Sequence, residues 1–88
     1  MTNKEKELKR LHDIVFEGAP SKFMYAAQDW SGSWFIYRAI PKLEIKDSMW
    51  IHSELVPSMW FKPCLRVKAR PKTTLNWTDT LIKRGDYE

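Results

Sequence analysis

The stretch SWFIYRAI at 33–40 restricts the fold more than any other part of the chain. Successive side chains of an extended segment point to opposite sides, so Trp34, Ile36, Arg38 and Ile40 share one face and Phe35, Tyr37 and Ala39 the other. Both faces are largely apolar. Such a strand is either central, with cover on both sides, or it offers one side to another chain. Just upstream, DWSGS at 29–33 reads as a tight turn that Gly32 permits, because glycine reaches backbone angles that other residues avoid. The turn sets Trp30 and Trp34 close together, and their indoles either belong to the core or wall a small-molecule pocket.

With 88 residues there is room for one domain and one modest core. Hydrophobic residues make up 43% of the chain and aromatic residues 14%, enough large apolar side chains to offset the entropy of ordering. Five tryptophans in so short a chain imply more aromatic area than one small core hides, so a homo-oligomer is expected. Cys64 is the only cysteine. An internal disulfide is therefore ruled out, no structural zinc site can be built on it, and a reducing cytosol is the natural compartment. The N-terminal MTNKEKELKRLHDIV has no apolar run of signal-peptide or transmembrane length, nor does any other segment, so a cytoplasmic protein with no membrane partner is expected.

One helix and a small sheet account for the rest. Thr2 and Glu5 have capping-box spacing, Leu8, Leu11, Val15 and Phe16 form an apolar stripe, and Gly18 with Pro20 stops the pattern, which predicts a helix over 1–18. Strands are expected within 22–88: KFMYAAQ before the turn, then SWFIYRAI, with KLEIKDS as a linker or short edge strand. MWIHSELV and SMWFKPCLRVKAR read as two strands joined near Pro57, the second with Leu65, Val67 and Ala69 facing in and Arg66, Lys68 and Arg70 facing out. PKTTLNWTD is a loop and TLIKRGDYE a last strand or a single helical turn. The fold class is α+β, a single domain with its N-terminal helix packed on a small antiparallel β-sheet.

Enzymatic signals fail on chemistry. His52, Ser53 and Glu54, followed by Pro63 and Cys64, suggest the H-x-E and P-C-x-x-C signature of zinc deaminases, but Val67 stands where the second cysteine ligand belongs. Cys64 as a nucleophile needs a base, and His12 and His52 are the only histidines. Three glycines, far apart, make no phosphate loop. The reading is of a non-enzyme with no cofactor. The net charge of +4 is concentrated: Lys62, Arg66, Lys68, Arg70 and Lys72 fall together, with no acid between Glu54 and Asp79. With Trp60, Phe61 and Trp77 alongside, that stripe suits phosphates and stacked bases, so nucleic acid is one partner to weigh, against the plainer reading of a solvated basic face.

Together, DWSGSWFIYRAIP, PCLRVKA and NWTDTLIKRGDYE resemble the phage Thoeris anti-defence family of cyclic-nucleotide sponge proteins. In that family a helix ending in glycine leads to a tryptophan, a one-residue gap, a glycine and an aromatic-rich strand, and Gly18, Trp30, Gly32, Trp34 and the run through Tyr37 follow that order. A proline-led strand ending in lysine, a tryptophan, a Thr-Asp pair, a leucine and a final Asp-aromatic pair come next, matched by Pro63 to Lys68, Trp77, Thr78, Asp79, Leu81, Asp86 and Tyr87. The interval from Gly18 to Trp30 is longer than in the family, and the family's Pro-Ser before the Thr-Asp pair is absent.

The resemblance implies a non-enzymatic α+β protein acting in the host cell cytoplasm. It would assemble as a homo-oligomer, dimer or tetramer, and hold a cyclic nucleotide signal, such as a cyclic ADP-ribose derivative, in pockets between subunits without cleaving it. The candidate ligand-binding residues are Trp30, Ser31, Gly32 and Trp34 of the turn, Arg66 of the basic stripe, and Asn76, Trp77, Thr78 and Asp79 of the late loop. Indole faces would stack on a base, cations and free backbone N–H groups would meet phosphate, and Asn76 and Asp79 would reach ribose hydroxyls. The alternative is a small basic phage interaction protein that binds nucleic acid or inhibits a host protein.

Overall fold

The computed structural model describes residues 2–53, 57, 59 and 62–88. Helix α1 spans Asn3–Val15, and its first turn closes as the sequence predicts: Glu5 N–H donates to Thr2 Oγ1 (3.1 Å) and Thr2 N–H to Glu5 Oε1 (3.3 Å). The helix stops before the expected boundary. Phe16 caps it, and Gly18 then takes a left-handed φ of 72° that ends the helical path.

Six short strands follow: β1 (Tyr25–Gln28), β2 (Trp34–Tyr37), β3 (Lys42–Glu44), β4 (Met49–Ile51), β5 (Cys64–Arg66) and β6 (Ile82–Lys83). Four of them form an antiparallel sheet in the order β5-β2-β1-β6, so β2 has a partner along each edge. The strand whose two apolar faces suited either a central place or contact with another chain is central in its sheet. Leu65, Ile36, Ala26 and Ile82 make one row across all four strands, and this row lies under the helix. Leu8, Leu11, Val15 and Phe16 close over it, with Phe23 and Trp34 completing the buried core.

The neighbouring rows face the other way by the pleat. Tyr25, Tyr37 and Cys64 form one, and Ala27, Phe35 and Arg66 the next. Trp50 of β4 packs on this second face together with Leu43, Trp77 and Leu81. Among the described residues Ala27, Tyr37 and Trp50 are the ones buried there, fewer than on the helix side.

The 49–56 and 58–70 segments, read as two strands joined near Pro57, contribute β4 and β5 to different sheets. β4 pairs with β3 in a separate two-stranded ribbon, with Leu43 opposite Trp50, while β5 pairs with β2. The local choice wins because β3 and β4 are joined by a short turn, where Ser48 adopts φ 54° and its N–H donates to Ile45 O (3.1 Å). β5 then takes the free edge of β2. Residues 54–56, 58, 60 and 61 of the expected strands, Glu54, Trp60 and Phe61 among them, lie outside the described residues.

The late loop contains a 3-10 helix at Trp77–Asp79, and the last segment is both strand and turn: β6 runs directly into a 3-10 helix at Arg84–Tyr87. Among the described residues no helix is long and apolar enough to cross a membrane.

Candidate functional site

The turn at 29–33 has the expected geometry. Asp29 N–H donates to Ser33 O and Gly32 N–H to Asp29 O, both at 2.9 Å, and Gly32 sits at φ 90°. Its two tryptophans separate. Trp34 starts β2 on the helix side, is wholly buried, and donates its indole N–H to Pro71 O at 3.1 Å. It has no open face for a ligand, so its place is the core and not a pocket wall. Trp30, at the tip, is 68% exposed.

The basic stripe folds back on this turn. Arg70 Nη2 donates to Ser31 O (2.8 Å), and Arg66 Nη2 approaches Ser33 Oγ at 3.4 Å. Glycine suits position 32 through its φ of 90°, since a Cβ there would stand 3.4 Å from the Arg70 guanidinium, an ordinary contact with a flexible side chain. The stripe is not the long strand face expected: β5 ends at Arg66, Val67 adds one more bond to Trp34 O (2.8 Å), and Lys68, Ala69 and Arg70 are exposed coil. Leu65 and Val67 do pack inward, whereas Ala69 does not.

The late loop reaches the same end of the sheet by a separate route. Thr80 Oγ1 accepts from Gln28 N–H (2.9 Å) at the close of β1. Trp50 bridges the two segments, its backbone N–H donating to Asp29 Oδ1 (3.2 Å) and its indole N–H to Trp77 O (3.2 Å). Within the loop, Asn76 Oδ1 is committed to capping, accepting from the Thr78 N–H (3.0 Å) and hydroxyl (2.8 Å). Trp77 is half-buried on the second face, Thr78 is half-buried beside it, and exposed Asp79 lies 3.9 Å from Lys4 Nζ on the helix. Trp30, Ser31, Gly32 and Arg66 therefore cluster. The four loop residues are tied to them through Thr80 and Trp50, with their polar groups partly spent.

A cavity of about 240 Å³ opens between the second face and the ribbon, lined by Asp29, Phe35, Tyr37, Met49, Trp50, Ile51, His52 and Cys64. None of the candidate ligand-binding residues lines it, although His52 and Cys64, weighed above for enzymatic chemistry, do. The alternation of Phe35 and Tyr37 was its one sequence signal, because a second apolar face must be covered by something, and Trp50 was the available large side chain. Burial pushes the Asp29 carboxyl above its ordinary value, although the Trp50 N–H bond pulls the other way. Burial, then the Asp29 charge, raises the Cys64 thiol, and burial followed by Asp29 and Cys64 raises the Tyr37 phenol. A thiol held protonated is a poor nucleophile. Among the described residues no three His, Cys, Asp or Glu side chains converge as metal ligands.

Compared with known protein families, curated proteins and solved structures, the chain matches none.

Proposed function

We propose that this protein binds and sequesters a cyclic nucleotide immune signal, such as a cyclic ADP-ribose derivative, without cleaving it, as a phage-type anti-defence protein working in the host cytoplasm. One observation carries the reading beyond the sequence resemblance: an exposed indole, Trp30, stands on a turn that Arg66 and Arg70 grip from below. A π-face beside guanidinium groups suits a ligand with a base and phosphates, since stacking and charge pairing act on its two parts together. On one subunit this surface is open. A second copy seated over it would complete the enclosure a sponge needs, so the reading includes a homo-oligomer.

Calorimetry with cyclic ADP-ribose isomers tests it, with native mass spectrometry of protein taken from signalling cells as the companion measurement. Saturable heat is expected for at least one isomer, lost on Trp30→Ala and weakened on Arg66→Ala. Absence of heat with every cyclic and ADP-ribose-derived nucleotide overturns the reading. The exposed row Arg66, Lys68, Arg70 and Lys72 favours the alternative of nucleic-acid binding. In that case single-stranded oligonucleotides would bind tightly at physiological salt, with a logarithmic salt slope of roughly 0.7 per phosphate neutralised.

A further inference from the structure

We propose that the cavity between the second sheet face and the β3–β4 ribbon is a binding site for a small organic cation of the substituted-ammonium class. Phe35 and Tyr37 come from β2, Cys64 from β5, and Met49, Trp50 and Ile51 from β4, so three strands build an aromatic and aliphatic wall. Asp29 is the carboxylate among its described lining residues. That carboxylate is half-buried, and among the described residues its side chain accepts a hydrogen bond from Trp50 N–H to Oδ1. Among the described residues no lysine, arginine or histidine forms an ion pair with it.

An uncompensated carboxylate among aromatic rings selects its ligand by charge. Its burial is unfavourable until a positive group arrives, and the rings add attraction of the same sign, because their faces are electronegative. Anions are repelled. A neutral apolar guest would remove more water from the carboxylate and give nothing back. A metal ion is ill served, since among the described residues no three ligand side chains converge. The size agrees: about 240 Å³ holds roughly eight waters at about 30 Å³ each, room for a compact organic ammonium and too little for a nucleotide. This site adjoins the turn proposed above, with Asp29 belonging to both, and the two call for ligands of opposite charge.

Choline and its neutral isostere 3,3-dimethylbutan-1-ol, which replaces the ammonium nitrogen with carbon, serve as the probe pair. Titrated into the ¹⁵N-labelled protein, choline should shift the Trp50 and Phe35 amide signals saturably, and the isostere should bind about tenfold more weakly or not at all. Asp29→Asn keeps an oxygen for the Trp50 N–H but removes the charge, and should cut choline affinity about tenfold and abolish the preference. Equal affinity for both probes overturns the proposal, as does the absence of saturable shifts. Undiminished choline binding by a folded Asp29→Asn variant overturns the role given to the carboxylate. If that variant does not fold, the probe pair on the wild-type protein decides alone.

Discussion

Two tryptophans four positions apart in sequence end in opposite environments, because the turn between them leaves Trp30 outside the strand that Trp34 begins. Trp34 is the first residue of β2 and shares the helix-facing side with Ile36, so its indole enters the core and its N–H finds the Pro71 carbonyl. Trp30 lies on the far side of the turn, where it is largely exposed. Trp34→Ala should therefore cost about 3–5 kcal/mol, the usual range for deleting a buried aromatic side chain. Trp30→Ala should change stability by less than about 0.5 kcal/mol. Urea unfolding of both variants checks the contrast, and equal losses would show that the turn packs differently. Only Trp30 can then be probed for binding without unfolding the protein.

At the scale of elements, the helix is fastened to the sheet's loops by polar contacts as well as by its apolar stripe. Glu7 takes a paired contact from Arg10, Nε to Oε1 at 2.7 Å and Nη2 to Oε2 at 3.0 Å, and accepts the Thr73 hydroxyl at 2.6 Å. Arg10 also donates to Lys72 O at 2.7 Å, so the pair spans helix and loop. The Arg10 hydrogen bond first, and the Thr73 hydroxyl after it, lower the Glu7 carboxyl from its ordinary 4.5 to about 2. A carboxyl depressed in the folded state binds its proton more weakly there than in the unfolded chain. Its stabilising contribution is complete above pH 4.5 and is lost as the pH falls towards 2. Melting temperature should decline across that window, and Glu7→Gln should flatten the decline while lowering the plateau above it. An unchanged profile in the variant would show that other carboxylates carry the acid sensitivity.

At the scale of the whole molecule, one side of the sheet is finished and the other is not. The helix side buries a continuous core, while the second side is covered by a short ribbon that leaves Phe35, Tyr25 and Cys64 half-buried and Ile45 and Met49 exposed. Ile40 and Trp30 add further apolar surface. Surface of this kind gains from association, because covering it removes apolar area from water. Light scattering at micromolar concentration should find a dimer or tetramer, and a monodisperse 10.5 kDa monomer would remove the oligomer from the proposed function.

How much of this was legible follows from the range of each interaction. The capped helix, its buried stripe, the Gly32 turn and the two apolar faces of β2 depend on residues within a few positions of one another, and such rules can be read along the chain. So the sequence by itself determined the α+β class and the turn. It did not determine that β4 would close on β3 and leave β5 to β2, which side Trp34 would take, or that Arg66 and Arg70 would clasp the turn. Nor could it place Asp29 beside Tyr37, Trp50 and Cys64, because that neighbourhood exists only once the second apolar face of β2 has found its cover. Those outcomes were decided by the tertiary structure, where distant apolar surfaces compete to exclude water and the polar groups they carry are brought together as a result.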